Sequence, residues 1–85
     1  MREKIRNRQY VMTLHAEEEM DEDGLSIFDI ESIILTGKIT ERQKDAETSE
    51  WKYIVEGETI EGNSACAVGK ISVTSKLAII TVYRE

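Results

Sequence analysis

Thr13 to Gly37 reads TLHAEEEMDEDGLSIFDIESIILTG, and its punctuation decides the fold. Thr13 suits a helix N-cap, because its hydroxyl can accept from a backbone N–H that a helix start leaves unpaired. Residues 14–23 contain no glycine, proline or β-branched residue, so nothing interrupts a helix there. Gly24 then supplies the left-handed residue after the helix. Leu25 and Met20 take the two places whose side chains meet in a Schellman ending. Ser26 opens a second helix at once. Asp29, three residues on, stands where a capping-box carboxylate belongs, and Leu25 and Ile30 flank the cap as a hydrophobic staple. Ile27, Ile30, Ile33 and Ile34 share one face of that helix, and Gly37 ends it. A helical hairpin with an isoleucine stripe to bury is the expectation.

From Lys38 onward the apolar period changes to two. Lys38–Asp45 has Ile39 as its one large apolar residue and reads as a solvated edge strand. Residues 45–50 form a turn. Trp51, Tyr53 and Val55 share one face of the next strand, with Lys52, Ile54 and Glu56 on the other. Glu61-Gly62-Asn63 is a hairpin turn signal. Ala65–Val73 is a third strand, 74–76 a turn, and Leu77–Tyr83 is apolar on both faces, as a strand inside a sheet should be. Upstream, residues 2–8 suggest a short polar helix anchored by Ile5, and Tyr10–Met12 a short extended piece. The predicted fold is α+β in one domain, residues 1–85: a short N-terminal helix, a helical hairpin, then a four-stranded antiparallel β-meander.

Composition narrows the function classes. The chain has 85 residues, a net charge of −6 and a single cysteine. No apolar run approaches the ~20 residues of a membrane span, and the first residues carry no apolar signal core. Cys66 has no partner for an internal disulfide, which fits a reducing cytoplasm. The charge disfavours RNA as a partner, though it leaves it open. Its distribution is uneven: Arg2, Lys4, Arg6 and Arg8 make a basic arm, every charged residue from Glu17 to Glu31 is acidic, and the rest is nearly balanced.

The ordered blocks His15-Ala16 with Met20 and Gly24-Leu25-Ser26, Asp29-Ile30-Glu31 to Gly37, Trp51-Lys52-Tyr53 with Gly57 and Gly62, and Lys70 with Ile80-Thr81-Val82-Tyr83 resemble the domain-of-unknown-function family 4258. That family comprises small prokaryotic proteins distantly similar to the compact RNA-cleaving toxins of the RelE and BrnT kind. The resemblance runs from about Tyr10 onward. It implies arginine at the positions of Glu19 and Asp23. Both are acidic here, so any phosphate contact made by those arginines is absent.

His15 is the candidate acid/base, since imidazole titrates near neutral pH. Glu19 and Asp23 follow it at helical spacing on the same face. The bland alternative is a surface histidine beside acids. Lys52, Lys70 and Arg84, with Tyr83, are candidate phosphate-binding residues on neighbouring strands, or else ordinary solvent-facing cations. No cofactor is expected. No metal is expected either, because Asp21-x-Asp23-Gly24 lacks the first acid and the distal glutamate of a calcium loop. Cys66 reads as a small core residue, and the acidic run as a solvated face or a surface for a basic partner. Two functions follow: a cytoplasmic, non-catalytic interaction module with a protein partner or a homodimer, or a toxin-like ribonuclease using His15.

Overall fold

The helix ends close as their residues require. In the computed structural model, which describes residues 5, 7, 9–47, 49–72, 74 and 76–85, α1 spans Leu14–Asp23 and α2 spans Ile27–Thr36. Thr13 Oγ1 accepts from the Ala16 N–H at 3.2 Å. Gly24 sits at φ 66°, ψ 31°, with its own N–H toward the Asp21 carbonyl at 3.4 Å and the Leu25 N–H on the Met20 carbonyl at 2.8 Å. That pair of bonds is a Schellman ending, and a side chain at residue 24 would strain it. Ser26 and Asp29 form a reciprocal capping box, Asp29 N–H to Ser26 Oγ at 3.3 Å and Ser26 N–H to Asp29 Oδ2 at 2.9 Å.

The strands are β1 (Tyr10–Met12), β2 (Lys38–Lys44), β3 (Trp51–Glu58), β4 (Ser64–Ile71) and β5 (Leu77–Arg84). They make one five-stranded sheet in the order β1-β5-β4-β3-β2. β2 to β5 are antiparallel neighbours, but β1 runs parallel to β5, with Tyr10 opposite Leu77 and Met12 opposite Ile79. The sheet is thus mixed and five-stranded, a correction to the four-stranded antiparallel meander. The physical reason lies in β5. A strand apolar on both faces is poorly suited to an edge, and the extended piece before Thr13 supplies its missing neighbour. The expected helix at residues 2–8 falls almost wholly outside the described residues. Its anchor Ile5 is buried in the core.

α1 packs on β5, and α2 on β3 and β4. Ile30, Ile33 and Ile34 of α2 bury against Ala65, Ala67, Leu77, Ile79 and Val82. The end of α2 touches β3 closely. A side chain at Gly37 would meet the Glu56 carbonyl at 2.7 Å, and one at Gly57 would come within 2.9 Å of the Gly37 Cα and collide with the Ile33 carbonyl. Two glycines therefore let backbone meet backbone here. Among the described residues no helix is long and apolar enough to cross a membrane.

Candidate functional site

The His15 constellation forms, but its carboxylate is engaged elsewhere. His15 Nε2 lies 3.3 Å from Glu19 Oε1, with the imidazole 67% exposed. The same Glu19 Oε1 accepts the backbone N–H of Val82 at 3.2 Å. β1 covers only Leu77–Ile79 of β5, so beyond it the outer edge of β5 needs other partners. α1 provides them. The Thr13 N–H donates to the Ile79 carbonyl at 3.0 Å, Glu19 takes the Val82 N–H, and Arg84 Nε donates to the Asp23 carbonyl at 2.8 Å. Arg84 also places a cation at the end of a helix whose last turn has no basic residue of its own. Glu19 and Arg84 are therefore structural ties, and Asp23 contributes its backbone to one of them.

Arg84 consequently does not join the other candidate cations. Opposite Ala65 in register, it lies on the helix-bearing face. Lys52 and Lys70 are direct cross-strand partners, and alternation places them on the opposite, helix-free face. Like charges facing one another repel. Glu50 relieves this by pairing with Lys70 at 2.9 Å, and that hydrogen bond raises the Lys70 pKa. Both lysines line a shallow pocket of about 340 Å³ that also includes Lys44, Asp45, Glu50 and Ile80. The pocket mixes signs, and His15 does not line it.

Tyr83 is on the helix-free face too, opposite Cys66. Cys66 is buried, 3% exposed, as its reading as a small core residue requires, though it packs on this face and outside the cluster beneath the helices. Its Sγ donates to Glu85 Oε1 at 2.8 Å. Burial first, and then that carboxylate, push the thiol up to about 11, so it stays protonated at neutral pH. The contact with Cys66 likewise raises the Tyr83 pKa. Glu56, Cys66 and Glu85 bring potential metal-ligand atoms within 4.8 Å of one another, though the thiol already has Glu85 as its acceptor.

The apolar surface gathers elsewhere. Between β1, α1 and α2 lies a groove of about 360 Å³ lined by Tyr10, Met12, Glu17, Ile27, Phe28 and Glu31. Phe28 is 56% exposed and Leu14 71%. Leu14 stands one turn before Glu17 on the same side of α1. Tyr10 Oη donates to Glu31 Oε2 at 2.9 Å, fixing one rim of the groove. Sequence reasoning missed this groove. Its one visible signal was Phe28, a large apolar residue off the isoleucine stripe. A family model described as domain of unknown function (DUF4258) matches residues 12–84. No curated protein and no solved structure matches the chain.

Proposed function

The chain belongs to the DUF4258 family, and we propose that it is a non-catalytic protein-interaction module acting in the reducing cytoplasm of a prokaryotic cell. One observation carries the reading: the acid-rimmed apolar groove in which Phe28 stands 56% exposed. Groove-lining aromatics beside charged rims are a common way to bind an amphipathic segment. The rim carboxylates of Glu17 and Glu31, and the exposed acids of α1, select a basic partner. A free cysteine thiol is at home in a reducing compartment. The competing reading, a toxin-like ribonuclease of the RelE and BrnT kind with His15 as acid/base, is supported by the His15–Glu19 contact. Against it stand the engagement of Glu19 by Val82 and the division of Lys70 and Arg84 between opposite faces of the sheet.

A short peptide of alternating arginine and leucine, titrated into isotope-labelled protein, tests the proposal. Amide shifts should concentrate at Met12, Ile27, Phe28 and Glu31 and vanish in Phe28→Ser. Shifts spread evenly over the acidic surface, unaffected by Phe28→Ser, would contradict it. So would RNA turnover by the wild-type chain that disappears in His15→Ala.

A further inference from the structure

We infer that the occupant of the groove is the β2–β3 end of a second copy of this chain, an inference that rests on the interaction reading above. That end carries the complementary chemistry. Trp51 and Tyr53 stack with centroids 6.4 Å apart, Lys44 lies 5.8 Å over the Trp51 ring, and Trp51 is 40% exposed. In register, Lys44 faces Trp51 and Arg42 faces Tyr53. Two cations and two aromatic rings therefore share one patch. Val55, on the same face of β3, is buried, so the patch belongs to the helix-bearing side of the sheet, as the groove does.

The match is one of charge and of size. The groove offers Glu17 and Glu31 around Phe28; the patch offers Arg42 and Lys44 around Trp51. The groove volume of about 360 Å³ accommodates an indole, and stacked or edge-on aromatic pairs gain beyond their buried area. The sheet order puts the groove beside β1 and the patch on β2–β3, at opposite edges. One copy cannot seat its own patch, so the contact joins two copies. Because both surfaces lie on the same side, a two-fold pair uses the contact twice and closes.

Two other self-contacts fit less well. Exchange of the basic N-terminal arm would have to extract Ile5, which is 1% exposed in its own core. Pairing of two β2 edges about a two-fold axis through the strand's middle residue sets Glu41 against Glu41 and Lys38 against Lys44, and like charges directly opposite are unfavourable.

Sedimentation across the micromolar range tests the pairing. The wild-type chain should form a dimer with rising concentration. Trp51→Ala should weaken it at least about tenfold, as for a central aromatic anchor. Glu17→Lys/Glu31→Lys and Arg42→Glu/Lys44→Glu should each remain monomeric, and an equimolar mixture of the two should dimerise. Should Trp51→Ala unfold, the charge-reversal pair still decides, because Glu17, Arg42 and Lys44 are solvent-exposed. A wild-type chain that stays monomeric overturns the inference, as does a dimer unaffected by either reversal. A monomer whose groove still binds the arginine–leucine peptide defeats only the choice of occupant. Loss of both defeats the interaction reading as well.

Discussion

The long strands nearest the two sides of the sheet, β5 and β2, meet the same hazard, a row of strand amides and carbonyls in need of partners, in opposite ways. On one side β5 is covered: β1 pairs with its first half, the Thr13 N–H takes the Ile79 carbonyl, Glu19 takes the Val82 N–H, and the Arg84 side chain ties the end of the strand to α1. On the other side β2 is bare, all seven residues exposed, and Lys38, Glu41, Arg42 and Lys44 stand along it. The difference follows from what each strand carries. β5 buries Leu77, Ile79 and Val82, so its polar edge lies close to the core and needs partners. β2 buries nothing, so water satisfies it and charge suffices to discourage other strands.

The largest contrast should come from truncating an isoleucine on each of these two strands. Ile79→Ala empties a fully buried position and should destabilise by about 2–5 kcal/mol. Ile39→Ala, at a residue 50% exposed, should stay within about 0.5 kcal/mol. Urea denaturation of the two variants reads both values, and equal losses would break the comparison.

Next comes Glu19→Ala. It orphans the Val82 N–H, at about 1–3 kcal/mol. The neighbouring Glu18→Ala should be neutral or slightly stabilising, because an exposed acid in α1 opposes the helix dipole toward its C-terminal end. Thermal melts of the pair separate the structural acid from the solvated ones.

Asp29→Ala should cost about 1–2 kcal/mol through the lost charge-assisted bond of the capping box to the Ser26 N–H, and it also removes the acceptor of the Ile60 N–H at 3.0 Å. The Ser26 backbone N–H is the main reason this carboxyl titrates below its ordinary value. With the folded pKa depressed, the contribution is present above about pH 4 and fades as pH falls through the folded value. Wild type and variant should therefore converge in acid, and a gap that widens there would contradict the assignment.

At the bare edge, Glu41→Val with Arg42→Val should barely change the melting temperature yet promote aggregation on storage. The smallest effect concerns the helix-free face. Alkylation of the native Cys66 thiol should rise toward pH 11 rather than at the ordinary 9.0. For stability the sign is opposite to that of Asp29: burial favours the neutral thiol, so its contribution is complete below pH 9.0 and is lost as pH rises through about 11.

How far the sequence discloses all this depends on how local each determinant is. Thr13, Gly24, Leu25, Ser26 and Asp29 act on neighbours within a few residues, and the hairpin they specify is present with its expected caps. The exposed edge at β2 was legible for the same reason, since its pattern contains almost nothing to bury. β1 was read as extended but left unpaired, because three residues show no periodicity. The doubly apolar pattern of β5 nonetheless implied a neighbour on each side. Arg84 was misplaced by a feature with no local signature. A register shift between Val68 and Gly69 leaves Ile80 without a partner in β5, so Val82 and Arg84 fall on the face of Leu77 and Ile79, contrary to simple alternation. The groove was hidden because Tyr10, Glu17 and Phe28 meet only once β1 has docked.

Glu19 is the residue on which the account turns, since its commitment to the sheet edge takes a partner away from His15 and completes the cover over β5. Amide hydrogen exchange at Val82, measured in the wild type and in Glu19→Ala, tests this most directly. Strong protection in the wild type that collapses in the variant, with the outer amides of β2 exchanging fast in both, is the predicted result. A Val82 amide as labile in the wild type as those β2 amides would contradict it.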